Sequence, residues 1–236
     1  MKRRRLGQHY LVDREAVRRI VEGAAIEPHE RVLEIGTGRG ELTRELAGLG
    51  RDFEGYEIDK DNYEATVAAV PEAKGKVRIG DVFERQPRFD VLVASLPYSR
   101  SSTFVEWLSR LRYGRAVVVL QEDFVKKALA KPGTRDYRGI SALAQMSSDI
   151  QVLFKLGRNA FSPPPKVNSL VVRMTPRMRL ASTEISNVKR LFSLRRRKVS
   201  SVLAELGMAR RDYGDRRVYS LLPDEVHTLC APRTPS

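Results

Sequence analysis

The sequence predicts an α/β protein: a doubly wound, mostly parallel seven-stranded sheet followed by a small C-terminal helical domain. Three observations carry this. Apolar runs alternate with stretches of helical spacing through the first two thirds of the chain. Two further apolar runs, "DIQVLFKLG" and "SLVVRMTP", follow close together with no helical pattern between them. Beyond Pro176 the chain turns helical and strongly basic.

Arg31–Gly36 (RVLEIG) is the first strand, and Glu41–Gly50 a helix stopped by glycine. Asp52–Asp59 is the second strand, followed by a helix over "NYEATVAAV". Lys76–Phe83 and Phe89–Leu96 are the third and fourth strands, "STFVEWLSRL" a helix, and Arg115–Phe124 the fifth strand. The two closing runs are expected to pair antiparallel. Between them lies "FSPPPKVNS" (Phe161–Ser169), where three prolines remove backbone donors and stiffen the loop. Asn187–Leu206 is expected to be one basic helix and "LLPDEVHTL" a second helical piece. The domains are then residues 1–178 and 179–236, with a disordered tail, "CAPRTPS".

A chain of 236 residues buries a full core. Lys plus Arg number 43 against 29 Asp plus Glu, a net charge of +14, and the field of such an excess attracts polyanions, nucleic acids first. The single cysteine, Cys230, excludes an intrachain disulfide framework and a cysteine zinc site. His9, His29 and His227 are too scattered for a metal motif, so no metal is expected. "MKRRRLGQHYLVD" has no apolar stretch behind it, and no run approaches the roughly 18 apolar residues of a membrane span. A reducing, cytoplasmic location without membrane attachment is expected.

"EIGTGRGELT" sets Gly36, Gly38 and Gly40 between a strand and a helix, where the backbone can turn sharply and approach a ligand. Glu57 closes the next strand 21 residues beyond Gly36, the place of a carboxylate that holds a ribose hydroxyl pair. The spacing is G-x-G-x-G rather than G-x-G-x-x-G, and Glu34 precedes it. A carboxylate there favours a cationic nucleoside over a pyrophosphate, and S-adenosylmethionine fits. Asp81 in "GDVF" can accept from an adenine amino group or cap a helix. The fourth strand ends abruptly in a polar, proline-locked, aromatic corner, Ser95-Leu96-Pro97-Tyr98.

Together these stretches resemble the small-subunit ribosomal RNA adenine dimethyltransferases, relatives of the macrolide-resistance rRNA methylases. "LGQHYLVD" looks like the family's N-terminal motif, "VLEIGTGRGELT" its cofactor loop, "YEID" its ribose-binding strand end and "GDVF" its adenine-binding turn. "FSPPPKVNS" looks like its proline loop and "LFSLRRRKVSSVL" the basic opening of its small C-terminal domain, whose shortness suggests the archaeal branch. The resemblance implies a Rossmann-like methyltransferase domain. It places S-adenosylmethionine against His9, Leu11, Gly36, Glu57, Asp81 and Ser95. The implied reaction dimethylates the 6-amino groups of two adjacent adenines in a hairpin loop near the 3′ end of small-subunit rRNA. Ser95 and the carbonyl of Leu96 or Pro97 would hold the amine, and Tyr98 would stack on the base, with Phe161 on its other face. Family members usually carry asparagine where this chain has Ser95. Lys189, Arg190, Arg195, Arg196, Arg197 and Lys198 would contact RNA phosphates, helped by Lys2–Arg5 and Lys126–Arg138. The expected partners are small-subunit rRNA and the immature small ribosomal subunit, met by a monomer. Two other readings use the same residues: a catalytically impaired assembly factor that binds pre-rRNA, and a DNA adenine amino-methyltransferase.

Overall fold

The computed structural model describes residues 8–50, 52–208 and 212–232. Lys2–Arg5, the first two residues of "LGQHYLVD" and the end of the tail lie outside the described residues. The described chain begins with a short strand, β1 (Tyr10–Leu11), and helix α1 (Arg14–Ala24). Asp13 starts that helix by accepting from the N–H groups of Glu15 and Ala16, both at 3.0 Å. Its apolar face, Ala16, Val17, Ile20 and Ala24, is buried. The sequence reading did not single this helix out.

Strand β2 (Val32–Ile35) runs into α2 (Glu41–Gly48), β3 (Phe53–Glu57) into α3 (Lys60–Ala69), then β4 (Val77–Ile79), β5 (Val91–Ser95) and α4 (Ser101–Leu108). Strand β6 covers Arg115–Gln121. The fifth strand was expected to reach Phe124, but Glu122–Ala128 is helix α5, which α6 (Gly139–Ser147) follows. Strand β7 (Ser148–Leu156), the two-residue β8 (Phe161–Ser162) and β9 (Ser169–Pro176) complete the sheets. The large sheet has the order β4-β3-β2-β5-β6-β9-β7. Its first five strands are parallel, and β9 turns antiparallel against β6. Valines dominate the central strands because such strands are buried on both faces. A separate two-stranded ribbon pairs β1 with β8.

The chain divides into two compact units. One comprises the residues up to Phe104 with Leu111–Glu122 and Ile150–Pro176; the other comprises Val105–Arg110, Asp123–Asp149 and the residues from Arg177 onward. The second unit holds α7 (Ser182–Ser193), α8 (Val199–Leu206) and α9 (Pro223–Cys230). The sequence reading kept Asp123–Asp149 in the first domain. Its apolar residues Tyr137, Ala142, Leu143 and Met146 instead share a core with Leu180, Val188, Leu191, Val202 and Val226. Among the described residues no helix is long and apolar enough to cross a membrane.

The expected single basic helix over Asn187–Leu206 is broken between Ser193 and Val199. The backbone there pairs with another segment: Tyr219 N–H donates to Arg195 O at 3.0 Å, Val218 N–H to Arg197 O at 3.1 Å, and Val199 N–H to Arg216 O at 2.9 Å. A helix cannot keep its own ladder while lending these groups away.

Leu143 is 1 % exposed in the second unit's core. Leu143→Ala should therefore destabilise that unit by about 2–5 kcal/mol, read from chemical denaturation, as for other buried leucines.

Candidate active site

In the parallel register Ile35 of β2 lies opposite Tyr56 of β3 and Ala94 of β5. The next residues, Gly36, Glu57 and Ser95, therefore emerge together at the C-terminal ends of three adjacent strands, where open α/β sheets bind ligands. With Gln8, Tyr10, Ile58, Asp81 and Arg100 they line a cavity of about 150 Å³. Gly36 and Gly38 have φ of 76° and 59°, in the left-handed region. A Cβ on Gly38 would only touch the Tyr10 ring, at 3.4 Å, so it is the left-handed backbone that favours glycine there.

Glu57 is 4 % exposed. One of its oxygens accepts from Gly38 N–H at 2.8 Å and the other from Asp59 N–H at 2.9 Å. Burial pushes its pKa up. Each oxygen keeps a further lone pair, so the group remains a double acceptor tied to the glycine loop. Glu34 is fully buried; its Oε2 accepts from Thr43 Oγ1 at 2.8 Å, and its Oε1 has no partner among the described residues. Burial raises its pKa to about 8. It faces a small extension of about 40 Å³, shared with His9, Tyr10, Leu11, Gly36 and Ser95. Asp81 accepts from Phe83 N–H at 2.9 Å, as a cap does, and pairs with the Arg100 guanidinium. Ile58, 53 % exposed, gives the cavity an apolar wall.

The β1–β8 ribbon sets Leu11 opposite Phe161 and brings the N-terminal motif to the proline loop. His9 Nδ1 donates to Pro163 O at 2.7 Å, and the His9 and Tyr98 ring centroids are 5.8 Å apart. Tyr98 Oη and Ser169 Oγ are 2.7 Å apart. His9, Tyr98 and Phe161 with Ser95, Leu96, Pro97 and Val119 surround a narrow space of about 10 Å³, against which Phe161 is 4 % exposed. Of the two candidate carbonyls, Pro97 O accepts from Arg100 N–H at 2.9 Å, while Leu96 O has no donor among the described residues.

The six basic residues predicted to hold RNA are not equivalent. Lys189 pairs with Glu106 at 3.0 Å, Lys198 with Asp215 at 2.6 Å, and Arg197 with Glu205. Arg190 is exposed in the last turn of α7. Arg195 and Arg196 join Arg135, Arg217 and Tyr219 around a cleft of about 340 Å³. No carboxylate among the described residues pairs with these four arginines. Two of them are steadied by backbone: Arg195 donates to Arg135 O at 3.3 Å and Arg217 to Arg196 O.

The family model described as "Ribosomal RNA adenine dimethylase" matches residues 1–219. The chain belongs to the ribosomal RNA adenine dimethylase family. It is 32 % identical over 240 residues to the "Probable ribosomal RNA small subunit methyltransferase A" of Pyrococcus abyssi, covering 95 % of this chain and 89 % of that protein. The fold is also that of a dimethyladenosine transferase from Plasmodium falciparum: TM-score 0.77, 22 % identity, 92 % of this chain and 94 % of that one. The 23S rRNA methyltransferase ErmE shares it at a TM-score of 0.63 and 24 % identity, over 92 % and 96 % of the two chains. The Rossmann-like sheet and the family expected from the sequence are thus both found.

Within this dimethylase fold the sequence reading missed Tyr10, Arg100 and Arg217. Tyr10 donates to Asn62 Oδ1 at 3.0 Å, and Arg39 lies 4.4 Å over its ring. None of the three carries a periodicity or spacing signal, since each acts through a group remote in sequence. Among the described residues no cluster of three or more His, Cys, Asp or Glu is placed to hold a metal ion.

Glu34 carries a pH prediction. Its folded pKa of about 8 lies above the ordinary 4.5, so its protonated form is the one the fold tolerates. The associated stability is full below the ordinary value and is lost as pH rises through 8, at up to about 1.4 kcal/mol per pH unit. Glu34→Gln should remove this loss. Its melting temperature relative to wild type should climb between pH 5 and 8; parallel profiles would show that Glu34 is not held neutral.

Proposed function

We propose that this chain transfers methyl groups from S-adenosylmethionine to the 6-amino groups of two adjacent adenines in a 3′-terminal hairpin loop of small-subunit rRNA. It acts as a cytoplasmic monomer on the immature small subunit, in the course of ribosome assembly. The observation that carries the reading is the convergence of Gly36, Glu57 and Ser95 beside the Leu96-Pro97-Tyr98 corner, in a chain of this family.

The residues present fit the methyl donor. The unpartnered Glu34 oxygen suits a cationic group, and the Gly36–Gly38 loop leaves no Cβ in the way. Glu57 would accept from the ribose hydroxyls and Asp81 from the adenine amino group. His9, Leu11, Gly36 and Ser95 border the other end of the cofactor site. S-adenosylmethionine supplies an electrophilic methyl group on a sulfonium, a leaving group that is neutral once displaced.

The adenine amine is the poor partner, because its lone pair is delocalised into the ring. Ser95 Oγ and Leu96 O accept its two hydrogens and favour a pyramidal nitrogen aimed at the methyl carbon. Orientation of this kind is worth up to about 7–11 kcal/mol of barrier. Pro97 keeps the chain out of the ladder and spends its own carbonyl on Arg100 N–H, so Leu96 is the free acceptor. Tyr98 stacks on the flipped base, worth about 1–3 kcal/mol, and Phe161 closes the other face. A space of about 10 Å³ holds no purine, so base entry parts Tyr98 from Phe161. No dedicated base is needed, because the proton is acidic once the nitrogen is alkylated.

We place RNA phosphates on Lys189, Arg190, Arg195, Arg196, Arg197 and Lys198, in a C-terminal RNA-binding unit from about residue 179. The weight falls on Arg195 and Arg196, whose charges no carboxylate shares; Lys189, Arg197 and Lys198 must first give up a partner.

Mass spectrometry of small-subunit rRNA after incubation with S-adenosylmethionine tests the reading: two dimethylated adjacent adenines support it. No methylation of immature subunits would favour an assembly factor, and methylation of DNA alone would favour the other rival. In the same assay Ser95→Ala should slow transfer about 10²-fold, as removal of one transition-state hydrogen bond does.

Arg195→Gln combined with Arg196→Gln should weaken RNA binding and flatten its log–log salt dependence by roughly 0.7–0.9 for each phosphate that is no longer neutralised. An unchanged slope would mean that the cleft does not meet RNA.

A further inference from the structure

Arg100 joins two parts of the site that the chemistry uses separately. Its main-chain N–H donates to Pro97 O at 2.9 Å, closing the turn of the Ser95–Tyr98 corner. Its side chain reaches the opposite wall of the same cavity, pairs there with Asp81, and lies 4.7 Å over the Phe83 ring.

A plain surface ion pair would contribute little. Three observations weigh against that view of Arg100 and Asp81. Both side chains line the cofactor cavity. They are only 36 % and 20 % exposed. The guanidinium also covers an aromatic ring of the same wall, a cation–π interaction that fixes its plane.

The consequence lies in the aim of Asp81. One of its oxygens is held by Phe83 N–H at 2.9 Å and the other by Arg100. A carboxylate gripped at both oxygens cannot turn, and its remaining lone pairs point one way. We infer that Arg100 is a positioning residue for the methyl donor: it aims Asp81 at the adenine amino group and walls the adenine end of the cavity with its guanidinium. This rests on the reading of Asp81 as the adenine acceptor. Arg100 touches the catalytic corner only through its backbone, so its side chain governs donor affinity and leaves the transfer step alone.

Calorimetry with S-adenosylmethionine and S-adenosylhomocysteine on the full chain tests this without any RNA. Arg100→Ala should weaken both by about 10-fold, the scale of one charge-assisted hydrogen bond with its preorganisation. KM for the donor should rise by the same factor. The kcat at saturating donor should stay within about twofold, because uniform binding alone is removed and the N–H to Pro97 remains. Arg100→Lys should recover part of the affinity, restoring the charge but not the planar fork. In an Asp81→Asn background Arg100→Ala should cost less than about twofold more, because the two substitutions break one interaction. Unchanged donor affinity in Arg100→Ala overturns the inference. So does a loss of kcat at constant KM, or a full loss that persists beside Asp81→Asn. Should Arg100→Ala melt early, Arg100→Gln, which keeps a planar polar group on a shorter arm without the charge, is read in its place. Failure of the wild type to bind S-adenosylmethionine would overturn the cofactor reading itself, and this inference with it.

Discussion

Ile35 sits between Tyr56 and Ala94 in the parallel ladder, and the site depends on that register. Parallel strands in register end together, so the three residues that follow them emerge side by side without any loop having to carry them there. A slip of one residue in β3 would turn Glu57 to the other face of the sheet. The glycine loop then completes what the register begins. Gly38 N–H donates to Glu57, and the Tyr10 ring lies against Gly38, 3.4 Å from where a Cβ would stand. The glycine loop, the Glu57 carboxylate and the N-terminal segment are thereby held as one piece.

The same strand ends concentrate buried carboxylates. Glu34 and Glu57 both lie in a low-dielectric environment, and burial raises the pKa of each. An unpartnered buried oxygen such as Glu34 Oε1 is costly to a fold that gains nothing from it. Under the proposed function a cationic ligand would offset that cost. Glu57 is treated differently, because two main-chain N–H groups hold it ready. One carboxyl group has an oxygen left open, and the other is held by two main-chain N–H groups.

Charge on the second unit is divided with equal economy. Four consecutive basic residues, Arg195 to Lys198, leave α7 in a turn whose backbone bonds to the segment Arg216–Tyr219. Arg197 and Lys198 meet the carboxylates of Glu205 and Asp215, while Arg195 and Arg196 turn to the cleft that Arg135 and Arg217 share. Net charge draws a polyanion to the protein; this partition decides which cations are free to receive it.

Much of this was legible in the sequence, for identifiable reasons. Strand–helix alternation, the glycine loop, Glu57 and the Ser95–Tyr98 corner are local patterns, written in residues a few positions apart. They sufficed to give the parallel sheet and the family, and to name residues that line one cavity. The β1–β8 ribbon was not legible, because two-residue strands have no period and their partners stand about 150 residues apart. The break in the basic helix was hidden because Arg, Lys and Leu favour helix locally; only the competing bonds from Val218 and Tyr219 decide against it. Likewise Leu143 and Met146 show an apolar face, but not which of two cores will take it. The sequence by itself determined the elements and the chemistry each could carry. Tertiary structure alone decided which remote groups meet: Tyr10 with Gly38, Arg100 with Asp81, Arg217 with Arg196. Such meetings follow from long-range packing, which no local pattern encodes.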